Sequence, residues 1–264
     1  MRALVDHGLP ITRACTAAGI SRSSFGYESR RTEDVELVER IKEIREKKPR
    51  WGYKRVHAKL RKEGFLVNHK RVERIWREHG FTLSARRRRK KIRTGETVPA
   101  AAAAPNHVWT YDFIFDATFG GRRMKVLSII DEFTREALAI LPARSLTASA
   151  VKGVLAKLFA GRGRPAVIRS DNGPEFIAFE LTEWLEAQGA STYHIEPGKP
   201  WQNSYAESFN NRLRDECLNT TEFWSIDHAR VVLESWRIEF NTEHLHSSLG
   251  YQTPEEFAAS WSAA

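Results

Sequence analysis

Residues 85–105 read ARRRRKKIRTGETVPAAAAAP, a segment that no compact fold can place in its interior. Seven cations fill the eight positions from Arg86 to Arg93, and like charges at that density repel one another. The small-residue stretch between Pro99 and Pro105 has almost nothing to bury. The chain is therefore expected to fold as separate cores on either side of a linker, and 264 residues suffice for one ordinary domain with a smaller one. We expect a helical DNA-binding region over 1–84, a basic and Ala/Pro linker over 85–105, and an α/β core with C-terminal helices over 106–264.

Charge divides at the same seam. Residues 1–105 carry 27 basic and 12 acidic side chains, net +15, whereas residues 106–264 carry 15 and 21, net −6. A basic half suits a polyanionic partner, and an acidic half suits carboxylates gathered around divalent metal. Cys15 and Cys217 are the only cysteines and stand at no metal-ligand or redox spacing, so no disulfide framework or zinc site is indicated. No stretch has the apolar length of a secretory signal or a membrane span, and the expected place is the cytoplasm, associated with the nucleoid.

Before the seam the hydrophobic period is helical. ITRACTAAG and ISRSSFGY read as two short helices broken at Gly19, with Ser21 as N-cap of the second, in the manner of a helix-turn-helix. Val35, Val38, Ile41 and Ile44 mark an apolar stripe on a connecting helix over Thr32 to Lys48. A helix over Tyr53 to Glu63 stops at Gly64, and Asn68 is placed to cap another that carries Val72, Ile75 and Trp76 up to Gly80. That second helix would present Lys70, Arg71 and Arg74 to a DNA groove or its phosphates, with Arg50, Lys54 and Arg55 on the approach. A small helical bundle with a basic outer face would show the same pattern.

After the seam the period shortens. VWTYDFIFDATF and MKVLSIIDEFT read as a β-hairpin around FGGRR, EALAILP as a third strand, PAVIRSDNG as a fourth ending at Asp171, and STYHI as a fifth. Helices are expected over Thr147 to Phe159, PEFIAFELTEWLEAQG, Asn203 to Leu218, Ile226 to Asn241 and around Pro254 to Trp261. This is an α/β layer architecture with a five-stranded sheet.

Three carboxylates stand out. Asp112 lies inside a strand where either face should be covered, so its charge needs a partner, which a metal ion or a structural salt bridge could supply. Asp171 follows an apolar strand at its carboxyl end, where open α/β sheets place their sites, although a turn Asp capping its neighbour looks the same. Glu207 follows a Gly and Pro loop on a helix whose positions at +4 and +7 are Asn211 and Arg214, a polar face that solvent alone would explain.

Together these residues carry a resemblance. Asp171 and Glu207 are separated by 35 residues, and the strings VWTYDF, IRSDNGPEF, GKPWQN, ESFNNRLRDECLN and HSSLGYQTPEEF follow in order. With PRWGYKRVHAKLRKEG and VNHKRVERIWRE upstream, nearly the whole chain resembles the OrfB product of IS-three-family insertion-sequence transposases. These are DDE enzymes with a ribonuclease-H-like, retroviral-integrase-type core. The resemblance implies that Asp112, Asp171 and Glu207 hold two Mg²⁺ ions, with Mn²⁺ able to substitute, for cleavage and strand transfer of double-stranded DNA at element ends and target. It also implies that Arg214 touches the DNA end, with Lys199 and Gln202 as further contacts. Association on paired ends is expected, as is partnership with the upstream-frame product OrfA or a frameshift fusion to it. Two positions depart from the family pattern: His244 stands where an Arg is usual, and Asn211 where a Gly is usual, next to the expected active face.

Overall fold

The computed structural model describes residues 2–26, 35–82, 101–171, 179–196 and 200–262. The chain divides into two compact units, residues 1–43 and 44–264. The first contains α1 (Arg2–Asp6), α2 (Ile11–Ala17), α3 (Arg22–Phe25) and the start of α4 (Val35–Lys47). Ser21 caps α3 as expected, its hydroxyl accepting from the Ser24 N–H at 3.0 Å. On α4 the buried stripe is Leu37, Ile41 and Ile44 at i, i+4 and i+7, whereas Val35 is exposed. The three-residue recurrence read from Val35 is thus replaced by true helical spacing, which keeps one face inward.

In the second unit, α5 (Tyr53–Lys62) and α6 (His69–Glu78) form a helical pair with Val56, Leu60, Val72, Ile75 and Trp76 buried. Gly64 ends α5 with φ +93°, a conformation that suits glycine, and Asn68 caps α6 by accepting from the Lys70 N–H at 2.9 Å. Both helices belong with the sheet in this unit. Arg55 Nε donates to the Leu245 carbonyl at 3.0 Å, Lys62 pairs with Glu256, and the Trp51 ring meets His244 edge-on at 5.8 Å. Most of the 85–105 segment lies outside the described residues.

The sheet consists of β1 (Val108–Ala117), β2 (Arg123–Asp131), β3 (Ala137–Ala143), β4 (Val167–Ser170) and β5 (Ser191–His194), in the order β3-β2-β1-β4-β5. The first three strands are antiparallel neighbours; β4 runs parallel to both β1 and β5. Alternation along each strand sends side chains to two covered faces. Trp109, Tyr111, Leu127, Ile129 and Ile168 pack on α7 (Ala148–Arg162) and α8 (Phe179–Ala187) through Val151, Leu155, Leu181 and Leu185. Ile114, Met124, Val126 and Ile130 pack on α9 (Ser204–Leu213) and α10 (Ile226–Glu243) through Phe209, Leu213, Leu233 and Phe240. A short turn of 3-10 helix, Pro200–Asn203, leads into α9, and α11 (Pro254–Ser262) closes the chain. The helical segment expected over Asn203 to Leu218 consists of α9 followed by one π turn, Arg214–Leu218.

Candidate active site

Alternation along β1 puts Thr110, Asp112 and Ile114 on the face that meets α9. Each polar member of that row has a partner. Thr110 Oγ1 donates to Asn203 Oδ1 at 2.6 Å, just before α9. Asp112 Oδ2 accepts from Asn210 Nδ2 at 2.8 Å, and its Oδ1 from the Phe113 N–H at 2.8 Å. Ser128, opposite Asp112 on β2, donates from Oγ to Asn210 Oδ1 at 2.9 Å, which fixes which way the Asn210 amide points.

Asp171 leaves the end of β4. Since Thr110 pairs with Arg169 across β1 and β4, two more residues along each strand bring Asp112 and Asp171 level. Glu207 sits in the first turn of α9, three residues before Asn210 and therefore on the side of the helix that reaches β1. Burial pushes the Asp112 carboxyl up to about 6; the charges of Asp171 and Glu207 add to the rise, and the Phe113 and Asn210 donors oppose it. The charges of Asp171 and Glu207 are thus both felt at Asp112. Among the described residues no three His, Cys, Asp or Glu side chains are drawn closely enough to enclose a metal ion. The donor set nevertheless fits Mg²⁺ in kind: hard oxygen ligands from three elements, with mutual repulsion that a divalent cation would relieve.

A buried ion pair sets the frame around them. Arg169, with its side chain fully buried, places Nε 3.3 Å from Glu132 Oε1 and donates from Nη1 to the Gln202 carbonyl at 2.9 Å. It thereby ties the end of β4, two residues before Asp171, to the turn that launches the Glu207 helix. Burial raises the Glu132 carboxyl to about 7, while Arg169 and Arg135 hold it down. Neither residue, nor Asn210, Ser128 or Asn203, was singled out in the sequence. An arginine within the short apolar run AVIR was the available signal, because such a charge requires a buried counter-ion.

The residues expected to contact DNA differ in exposure. Gln202 is only 3% exposed, and its amide bonds the Glu196 N–H at 2.9 Å and the Glu196 carboxylate at 3.0 Å, so it serves the interior and not a DNA-facing surface. Lys199 lies outside the described residues. Asn211 is exposed, and the α9 amide that meets Asp112 comes from its neighbour Asn210, because three residues and not four separate the inward positions. Arg214, on the π turn, donates from Nη2 to the Phe115 carbonyl at 3.3 Å. Arg50, Lys54, Lys70 and Arg71 are exposed on or beside α5 and α6; Arg74 pairs with Glu78 at 3.0 Å. Arg55 is half-buried on the Leu245 carbonyl, and burial together with Arg212 lowers its pKa to about 10.

His244 is buried. Its Nε2 accepts from Arg212 Nη1 at 2.9 Å, since an arginine can only donate, which leaves Nδ1–H to donate to His246 Nε2 at 3.2 Å. Burial, followed by nearby cations, holds both rings well below the ordinary histidine pKa, so they are neutral. The histidine in place of the usual arginine therefore accepts a hydrogen bond that an arginine could not.

Comparison with known proteins bears on the family and the fold. The chain matches the integrase core domain over residues 102–200 and a second integrase core domain family over 188–254, and an HTH-like domain over 32–91. It is 41% identical to the uncharacterized 31.7 kDa protein of insertion element IS407 from Burkholderia multivorans, over 94% of this chain and 90% of that one. It is 38% identical to the uncharacterized 39.2 kDa protein of insertion element IS476 from Xanthomonas euvesicatoria, over 99% and 76%. Transposase InsD of an Escherichia coli insertion element is 25% identical over 97% and 93%. Among solved structures, a chain of the simian T-cell lymphotropic virus intasome in complex with PP2A regulatory subunit B56 gamma superposes with a TM-score of 0.52, at 18% identity over 73% of this chain and 67% of that one, which speaks to the fold alone. With so close a relative matched along nine-tenths of both sequences, and an integrase core behind an HTH-like segment, the chain belongs to the insertion-element transposases of the IS-three type.

Proposed function

We propose that this chain cuts and joins DNA strands at Asp112, Asp171 and Glu207, moving an insertion element from its flanking DNA to a target. The observation that carries the reading is the half-buried Asp112, which Asn210 orients toward the face of α9 while the charges of Asp171 and Glu207 press upon it. Two Mg²⁺ ions held by these three side chains would supply activation of the attacking water or 3′-hydroxyl oxygen and neutralise charge at phosphorus. The protein's own part is placement. Asn210 and the Phe113 N–H fix both oxygens of Asp112, and Arg169 anchors the strand end carrying Asp171 to the turn before Glu207. Ser128 prevents the Asn210 amide from rotating away.

In this reading residues 1–84 bind DNA, 85–105 follow the phosphate backbone as a cationic linker, and 106–264 catalyse. Arg50, Lys54, Lys70 and Arg71, exposed on or beside the paired helices, are the phosphate contacts of this scheme, and Arg214 flanks the catalytic helix. Copies of the chain assemble on paired element ends, together with an upstream-frame product or as a fusion with it, in association with the nucleoid. Among the described residues no helix is long and apolar enough to cross a membrane.

The test is strand joining of labelled duplexes taken from the element's ends, in Mg²⁺ or Mn²⁺. Asp171→Asn and Glu207→Gln should each abolish joining while leaving the folded spectrum intact; turnover retained in either variant contradicts the assignment.

A further inference from the structure

Beside α9 lies a second concavity of about 310 Å³ that the carboxylate site does not use. Its rim is basic and hydroxylic. Ser204, Ser208 and Arg212 recur at every fourth residue along α9 and so share one stripe, and Arg135 and Ser248 contribute from neighbouring segments. The lining also includes Ile130, Tyr205 and Phe240, the last stacked between Trp236 and His244, and no acidic residue lines the cavity among the described residues.

Two features suggest a built site. The Arg135 guanidinium carbon lies 4.0 Å from the centroid of the Tyr205 ring, and the residue holds φ +65°, a left-handed conformation that a side chain rarely adopts. The turn that imposes it is stabilised from below: Asp131 accepts from the backbone N–H groups of Asn106, Phe133 and Thr134, and its carbonyl from that of Arg135. Such strain persists where the surroundings enforce it, and it gathers at sites of function. The second feature is charge. Glu132 answers both Arg169 and Arg135, and Glu216 answers both Arg212 and Arg55, so cationic groups outnumber the carboxylates that face them. Asp131 is occupied by its backbone donors.

We infer that this cavity takes one nucleotide unit of a DNA strand, its phosphate against Arg135, Arg212 and the serine hydroxyls and its sugar against the apolar lining beside Tyr205. A guanidinium pair with hydroxyls matches a phosphate's acceptor oxygens. Ser208 adjoins Glu207 in the chain, so the pocket and the carboxylate site are neighbours along α9. The inference rests on the DNA-joining reading above, and the experiment separates the two.

The probe is the dinucleotide pTpT, too short to bridge to the α5 and α6 surface, titrated into the full chain without divalent metal and followed by NMR shifts of Ser204, Tyr205, Ser208 and Ser248. Saturable binding at these residues is expected. Ser248→Asp and Ser208→Asp, both at exposed positions, should each weaken it by roughly tenfold by setting a like charge against the phosphate. Ser248→Ala should cost only a few-fold, the worth of one hydrogen bond. Absence of binding at these residues, or affinity unchanged in both aspartate variants, overturns the pocket. If pTpT binds as described while the wild type joins no DNA, the joining reading fails and the pocket stands; if joining proceeds and the aspartate variants bind pTpT normally, the reverse holds.

Discussion

The two faces of one sheet differ in kind. Beneath α7 and α8 the strands offer Trp109, Tyr111, Leu127, Ile129 and Ile168, a seam of large side chains with an apolar task. Beneath α9 the same strands interleave Thr110, Asp112, Ser128 and Arg169 with Ile114, Val126 and Ile130. One residue's step along a strand separates the two chemistries. On the α9 face polar residues replace apolar ones, and each meets a group on the helix or turn above, Thr110 with Asn203, Asp112 with Asn210 and Arg169 with the Gln202 carbonyl. Stability and chemistry are thereby shared between the faces unequally, and the difference can be broken.

The largest effect is expected at the buried pair. Arg169→Met removes the buried counter-charge of Glu132, leaving Arg135 as its remaining cation, and should destabilise the fold by about 3–5 kcal/mol, measured by denaturant unfolding. Arg169→Met with Glu132→Leu should recover most of that loss. If the double variant unfolds as readily as the single one, the pair is not the element that ties the strand end to the turn before α9.

A smaller effect of opposite sign is expected at Asp112. Its folded pKa of about 6 lies above that of an unfolded aspartate, about 3.9, so the folded state binds more protons between those values and its stability falls as pH rises through that window. Asp112→Asn removes the charge but also one of the two acceptors used by the Phe113 N–H and Asn210, and should on balance stabilise the metal-free protein by about 2 kcal/mol above about pH 7, an advantage that disappears below about pH 4. A variant less stable than the wild type at neutral pH would mean that the carboxylate is structural.

Smallest is the acid response of the α10 terminus. His244 and His246 are held neutral, their pKa values well below the unfolded value of about 6.5, so the unfolded chain takes up protons first. Their contribution to stability is complete above about pH 6.5 and should decline by about 2 kcal/mol or less on acidification by one unit, readable as a falling melting temperature. His246→Asn should flatten that slope; an unchanged slope places the acid sensitivity elsewhere.

Much of this was legible from residues alone. Strand alternation marked Asp112 as a charge needing a partner, and the seam in hydrophobic period separated helices from sheet. The caps at Ser21 and Asn68 stand where their side-chain chemistry puts them. What escaped depends on helical phase and on contacts distant in sequence. Asn211 was read on the active face because it stands four residues after Glu207, yet the sheet lies on the side reached by the third residue, Asn210. Gln202 looked like a loop contact until Glu196 and Tyr193 enclosed it, and the buried status of Arg169 depends on Glu132, which lies 37 residues earlier in the chain.

A polar face that holds divalent metal through three carboxylates is stabilised by that metal. Thermal unfolding with and without Mn²⁺ tests it, since a ligand that binds only the folded state raises stability by mass action. The account predicts a Mn²⁺-dependent rise in melting temperature for the wild type that is lost in Asp112→Asn and in Glu207→Gln. An equal rise in all three proteins, or none in the wild type, would contradict it.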